Sequence, residues 1–439
     1  MTPNAAAVSD FASSFAAAAA RRTLEPAWLR DTRERAAGAF ARLGFPTTRD
    51  EDWRFTNVAP IADGRFQPSE GGVAATGADR DRWLVPGLAG PVLVFVDGRF
   101  APGLSRLDEA QPGVLLTSLG ADGTAERVQR HLAAHAPFDL RSFTSLNTAL
   151  FPDAAVVAIA PRTVVDQPIQ IVFLSSGAAR TASFPRALVL AGEASQVRLI
   201  ETFATLGGEA SLTDAVTELV AGPGSVVEHY RLQRESARAY HVGLTQIRVR
   251  RSASVASHNA ALGGLIARHD ATVVLADEGA EATLNGVYVA DGHSLVDNHT
   301  EVDHAMPHGT SRELFKGILG GRARAVFNGR IKVRPGAQKT DAKQTNKTLL
   351  LSNEAQVNTT PQLEILANDV RCTHGATVGQ LSADALFYLR ARGIGREEAR
   401  GMLVRAFAGE VLDRMTVGPV RELLDRTIAE RLAASPGAR

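Results

Sequence analysis

The chain carries one cysteine, and it stands two residues before a histidine in Arg371-Cys372-Thr373-His374-Gly375. A thiolate and an imidazole are both good iron ligands, yet two ligands do not enclose an iron–sulfur cluster, which usually takes four, mostly cysteines. If the pair handles metal, it shares the task with another chain. On a strand over 369–378, Val370, Cys372, His374, Ala376 and Val378 point to one side, so an imidazole interrupts an apolar face. Residues two apart in a strand are about 6.5 Å apart, close enough to converge on one metal or sulfur. The same pattern also describes a buried thiol beside a satisfied core histidine.

A second polar concentration is Asp297-Asn298-His299-Thr300-Glu301-Val302-Asp303-His304, with His293 before it and His308 after it. Strand alternation puts Asp297, His299, Glu301 and Asp303 in one row, which suits a divalent ion or, equally, a solvated face. Residues 328–358 hold few apolar side chains before Leu349, and their amides and hydroxyls can ladder between stacked strands. Lys332, Arg334, Lys339, Lys343 and Lys347 lack interleaved aromatics, so a nucleic-acid stacking platform is not expected there.

The elements that must position these groups are mostly strands. Between about 154 and 380, short apolar or alternating runs are separated by Gly, Asp and Asn turns: Ala155 to Ile159, Ile169 to Leu174, Val226 to Leu232 and Thr272 to Leu275 are examples. Leu190-Ala-Gly-Glu, Val220-Ala-Gly, Leu275-Ala-Asp-Glu, Val289-Ala-Asp-Gly, Leu351-Ser-Asn-Glu and Leu366-Ala-Asn-Asp recur, several about 15 or 30 residues apart. That spacing suits a β-solenoid, with a β-sandwich as the alternative; the absence of crossover helices excludes a doubly wound α/β fold.

Residues 8–44 read as one or two helices, with Leu24, Trp28, Ala36, Phe40 and Leu43 at helical spacing and Gly44-Phe45-Pro46 as a stop. The stretch to 150 is mixed, holding a strand at Val92 to Val96 and a helix around Ala125 to Ala134. After Ser382, an N-cap candidate, the pattern turns helical again, with apolar stripes over 397–411 and 420–432. Three regions follow: 1–150 mixed and helical, 151–380 a β core, 381–439 a helical tail suited to docking.

Aromatics make up only 6% of the residues, so the core is built of small and branched aliphatics. With 48 basic and 47 acidic residues the net charge is +1, which predicts neither nucleic acid nor an anionic membrane as partner. One cysteine forbids an internal disulfide, and no apolar run approaches a membrane span. The apolar segment Phe15 to Ala20 has Arg21-Arg22 behind it, the reverse of a secretory signal, so a cytoplasmic protein is expected. There is no phosphate-cradling Gly-x-x-x-x-Gly-Lys-Ser/Thr, no Gly-x-Ser-x-Gly elbow and no His-Glu-x-x-His, and nothing else marks a self-contained enzyme.

These features together resemble the SufB/SufD family of iron–sulfur cluster assembly proteins over about residues 40–415. The resemblance is carried by Glu51-Asp-Trp-Arg-Phe-Thr56, Asp297-Asn-His-Thr300 with His304 and Pro307, Phe315-Lys-Gly317, Phe327-Asn-Gly329, the run from Ala337 to Asn346, Leu349-Leu-Leu-Ser352, Cys372-Thr-His-Gly-Ala-Thr377 and Phe387-Tyr-Leu-Arg-Ala-Arg-Gly393. His-Gly-Ala-Thr at 374–377, where the SufB type has His-Glu-Ala-Thr, and the single cysteine place it nearer the SufD branch.

The resemblance implies a right-handed parallel β-helix between helical end regions and a non-enzymatic scaffold. It implies pairing with a SufB-like subunit and docking of a SufC-like ATPase, whose nucleotide-driven motion reaches the shared seam, on the C-terminal helices near Phe387, Tyr388, Arg390 and Gly393. It implies iron acquisition and cluster assembly at the SufB interface. His374 is then the principal residue of a transient iron–cluster site, with a weaker case for Cys372. No cofactor is expected to be held by this chain alone, and flavin binding by the complex and homodimer formation in isolation stay open. The rival readings are a β-helix polysaccharide lyase or hydrolase, for which the 297–304 row is the only candidate groove, and a purely structural subunit.

Overall fold

The computed structural model describes residues 3–22, 25–71 and 75–434; Leu24 of the N-terminal helical pattern lies outside the described residues. Between Ala155 and Gly379 consecutive strands mostly alternate between two sheets, so each successive pair makes one coil of a β-solenoid of about 8 turns. One sheet ends on Leu295–His304, Arg324–Val333 and Gln356–Ile365; the other ends on Thr310–Leu319, Asp341–Leu350 and Arg371–Gly379. Within 155–379 neighbouring strands of each sheet pair in parallel, at a spacing that runs from Tyr240↔Ile266 to Arg324↔Gln356. The irregular spacing of the turn signals near 30 residues is this coil length. Parallel pairing of non-consecutive strands rules out the antiparallel sandwich.

The strands reach ten residues, longer than the apolar runs that announce them. Both faces of each sheet are covered over much of its length, one by the solenoid interior and the other by helices, so alternation between apolar and polar residues does not mark them. Several inward positions in the middle coils are polar and bonded sideways. Glu201 accepts from Thr217 Oγ1 at 2.9 Å and lies 2.9 Å from His229 Nε2, and His241 Nδ1 lies 2.6 Å from Glu235. Glycines make room for large inward side chains: a Cβ at Gly317 would fall on the Tyr288 ring.

The N-terminal helices Pro3–Arg21 and Ala27–Leu43 bury Phe11, Phe40 and Phe45 with Phe143 against the outer face of the first sheet; Gly44, at φ 63°, ends the second helix. Glu218 fixes this cap. It pairs with Arg186 at 2.7 Å, both fully buried, and accepts backbone N–H bonds from Ala133, His135 and Ala136.

At the other end Ser382 caps helix Ala383–Ala391, its Oγ accepting from the Ala385 N–H at 3.2 Å. Helices Arg396–Leu412 and Gly418–Ala434 lay Val404, Val411, Leu424 and Ile428 onto Tyr230, Leu232, Val287 and Ile318 of the second sheet. No helix among the described residues is long and apolar enough to cross a membrane.

Lys316 latches these helices to the sheet. Its buried Nζ donates to the Phe407 carbonyl at 2.8 Å, pairs with Glu410 at 2.5 Å and lies 4.3 Å from the centre of the Phe407 ring. Lys316→Met keeps the stem and removes the charged donor, so it should cost about 1.5–3 kcal/mol, the usual worth of a charge-assisted bond. Urea unfolding together with limited proteolysis of the 396–434 helices measures it. Unchanged stability and an unchanged cleavage pattern would refute the latch.

Candidate functional site

Among the described residues nothing lids the last coil of the solenoid. Gln356–Ile365 and Arg371–Gly379 are the last strands of their sheets, and each pairs with a neighbour on one side only. Their free edges present unpaired backbone N–H and C=O groups, with Ile365, Leu366 and Val378 40–51% exposed beside them. Folded chains cover or blunt such edges, because a bare one templates pairing with another strand.

Cys372 and His374 lie on the second of these strands. Cys372 packs against the interior cluster of Ile331, Val333, Ala342 and Ala367, so alternation turns His374 toward the interior side as well. Cys372 is half-buried and His374 exposed, since no further coil closes over them. Burial pushes the Cys372 thiol up, Asp341 adds to this and the Ala342 backbone bond partly offsets it, so the sulfur keeps its proton in the isolated chain. The His374 ring makes no hydrogen bond to any described residue. Nor is there, among the described residues, any cluster of three or more His, Cys, Asp or Glu side chains that could hold a metal ion.

Polar groups continue inward from the histidine. His374 pairs in register with Gln344, and Gln344 with Glu313. Gln344 Nε2 donates to Glu313 Oε1 at 3.1 Å, and Asn346 Nδ2 donates to Thr359 Oγ1 at 3.0 Å. All three inward residues are at most 3% exposed, yet Glu313 Oε2, Gln344 Oε1 and Asn346 Oδ1 have no partner. Below them Leu284, Phe315 and Phe327 restore an apolar floor, the two rings 5.1 Å apart. Burial without a cation nearby pushes the Glu313 carboxyl up to about 7.

The 297–304 row does not form a metal site. Asp297, His299, Glu301 and Asp303 do share one side of their strand, facing outward, but guanidinium groups engage the three carboxylates one by one. Asp297 pairs with Arg268 at 2.9 Å, Glu301 lies 3.8 Å from Arg141, and Asp303 pairs with Arg334 at 2.6 Å. Thr56 Oγ1 donates to Asp297 at 2.6 Å, the Arg268 guanidinium lies 3.7 Å over the Trp53 ring, and Arg268 donates to the Asp52 carbonyl at 2.6 Å. Burial works to raise the Asp297 carboxyl, but His299 and Arg268 outweigh it and hold it at about 2. The row is a joint that seats the Glu51–Thr56 segment on the sheet.

Phe387, Tyr388, Arg390 and Gly393 lie on and just after helix Ala383–Ala391, the element that follows the strand of His374. That helix buries none of its residues, and its Phe387 and Tyr388 are 74% and 56% exposed. Gly393, at φ 85°, takes a left-handed turn that a side chain would strain.

Sequence reasoning missed Glu313 and Gln344 as neighbours of the pair. The signal for Gln344 was present: Lys343, Thr345 and Lys347 mark the outward side of Asp341–Leu350 and leave Gln344 and Asn346 inward. Glu313, within Arg312-Glu-Leu-Phe-Lys316, reads as a solvated charge, and only the coil geometry puts it inside.

Comparison with known proteins bears on most of the chain. Residues 173–407 match the family described as SUF system FeS cluster assembly, SufBD core domain, and residues 12–171 match the SufBD protein N-terminal region. An iron–sulfur cluster assembly SufBD family protein of Synechocystis is 31% identical, the match covering 93% of this chain and 92% of that protein. The iron–sulfur cluster assembly protein SufD of Escherichia coli is 30% identical over 89% of this chain and 90% of its own. SufD of Bacillus subtilis is 24% identical over 93% and 95%.

Glu313 makes a pH prediction with a definite sign. Its carboxyl titrates near 4.5 when unfolded and about 7 when folded, so between these values the folded state holds the extra proton. Stability from this residue therefore falls as pH rises through that window and is lost above it. Relative to the wild type, Glu313→Gln should gain stability across the same window, reaching at most about 3 kcal/mol near pH 8. Denaturant unfolding of both proteins at several pH values reads the difference. A difference that does not change with pH would mean that the carboxyl is not held protonated inside.

Proposed function

The chain belongs to the SufBD family of iron–sulfur cluster assembly proteins as a SufD-like member, and from that premise we propose that its bare terminal coil is the seam at which a SufB-like subunit completes a nascent cluster site. Its part in cluster assembly is that of a scaffold. The observation that carries the seam is an exposed, interior-facing His374 with no hydrogen bond to any described residue, on a strand whose other edge is unpaired among the described residues.

Ferrous iron and the growing cluster are the cargo. The His374 imidazole offers one lone pair to iron. Cys372 releases its proton when a metal is bound, as thiol ligands must. The chain brings at most these two ligands, so the others come across the seam from the SufB-like side.

The bare edge fits this partner, because pairing strand edges satisfies the unpaired backbone groups while apolar contacts at Ile365, Leu366 and Val378 close the joint. A SufC-like ATPase docks on the exposed face of helix Ala383–Ala391. Only Gln380, Leu381 and Ser382 separate that helix from the strand that carries His374, so movement of one pulls on the other.

His374→Ala should leave thermal stability and copurification with the SufB-like and SufC-like subunits intact, while iron and sulfide in the anaerobically purified complex fall at least about tenfold, since losing a ligand costs no less than losing the group that orients one. Normal iron and sulfide content would remove this residue from the mechanism. Val378→Lys places a charge on the edge and should weaken pairing with the SufB-like subunit at least about tenfold, equivalent to about 1.4 kcal/mol, in a titrated pull-down. Undiminished pairing would move the seam elsewhere. Phe387→Asp combined with Tyr388→Asp should release the ATPase, and undiminished retention would contradict the docking face. These point changes are preferable to removing the chain after Ser382, since the last two helices bury part of the second sheet and their loss would disturb the fold.

A further inference from the structure

The polar groups beneath His374 have a use that its role as a ligand does not by itself require. We propose that Gln344 and Glu313 are positioning residues that select one tautomer of His374 once the seam closes. In this arrangement a ring N–H donates to Gln344 Oε1, and Gln344 Nε2–H donates to Glu313 Oε1. The second ring nitrogen is left with its lone pair directed at iron. The inference rests on the reading of His374 as an iron ligand and adds what orients it.

Three observations carry it. First, direction: His374, Gln344 and Glu313 occupy one register column of the second sheet, on the same side of three adjacent strands. Second, Gln344 turns its amide nitrogen to Glu313, whose Oε1 accepts from Nε2 at 3.1 Å, and so directs its own oxygen away from the carboxyl. That oxygen is an unpartnered acceptor on a residue only 1% exposed. Third, the competing groups are placed elsewhere. Asn346, whose Oδ1 is also unpartnered, stands in register with Ala376 rather than with His374, and Leu284, Phe315 and Phe327 block the column from below. An imidazole that binds a metal through one nitrogen is commonly held through the other by a carboxylate or carbonyl, which fixes the ring and raises its basicity.

Gly329, on the facing sheet, provides a way to disturb the relay without touching its members. A Cβ at Gly329 would fall on the Gln344 amide, which is the far end of a flexible side chain and can swing aside. Gly329→Ala should therefore fold and displace Gln344.

The test uses the full chain, labelled with ring-15N histidine, in its complex with the SufB-like subunit and without iron. The His374 signals are assigned by their loss in His374→Ala. In the wild type one neutral tautomer should exceed the other at least about tenfold; in Gln344→Leu and in Gly329→Ala the ratio should fall to within about threefold of one. Both variants should also lower the rate of cluster formation about tenfold, as loss of an orienting partner does. An unchanged tautomer ratio in folded Gly329→Ala and Gln344→Leu complexes would overturn the relay and leave His374 as a ligand. Full cluster yield in His374→Ala would instead overturn the ligand reading, whatever the tautomer ratio.

Discussion

Backbone hydrogen bonding that stops without a partner is the constraint on which the rest of this structure depends. Each coil of the solenoid satisfies the N–H and C=O groups of the coil before it, so stacking has no internal reason to end. At the N-terminal side the stack is closed by Val114–Ser118 and the Val92–Phe100 hairpin, which turn antiparallel and finish the sheets. At the other side no described residue does so, and the last two strands face outward with open edges. The groups able to bind metal sit at that end. A bare edge invites a second chain, and a ligand pair too small for a cluster needs one.

The interior explains how such an end can carry chemistry and remain folded. A lumen filled only with Val, Leu and Ala would be more stable, yet this one contains Glu201, His229, Arg231, His241 and Asn259 in its middle coils and Glu313, Gln344 and Asn346 near its mouth. The middle groups are bonded to one another. Those near the mouth are only partly satisfied, and buried unpaired polar atoms cost about 1–3 kcal/mol each. An apolar floor of Leu284, Phe315 and Phe327 separates the two sets. Among the unpartnered buried atoms, which are distributed through the protein, those of Glu313, Gln344 and Asn346 lie next to the uncovered end, where a second chain can reach them.

The two helical regions hold the solenoid from outside through charged joints. Arg186 with Glu218, and Arg268 with Asp297 and Thr56, seat the N-terminal cap; Lys316 with Glu410 and the Phe407 carbonyl seats the C-terminal helices. Such joints fix orientation more than they add stability, because the cost of burying charge offsets much of the attraction. The result is a rigid stack that carries one lightly attached helix, Ala383–Ala391, a few residues from the strand of His374.

Much of this was legible in the residues alone. Turn signals near 30 residues, short aliphatic runs and a lack of crossover helices already specified stacked strands, and Cys372 with His374 stood out because thiol and imidazole occur together at one place only. Sequence also determined the helix stop at Gly44 and the cap at Ser382, since capping and left-handed turns are local properties of a few residues. It left the 297–304 row ambiguous between ligand set and joint, because the arginines that neutralise its carboxylates come from other coils and from the N-terminal cap. It hid Glu313, whose charge reads as solvated until a neighbouring coil covers it. Which polar side chains enter the lumen, and that His374 lies at an uncovered end, are matters of register and stacking between residues about 30 apart. Contacts over that distance exist only in the tertiary structure, so only the tertiary structure decided them.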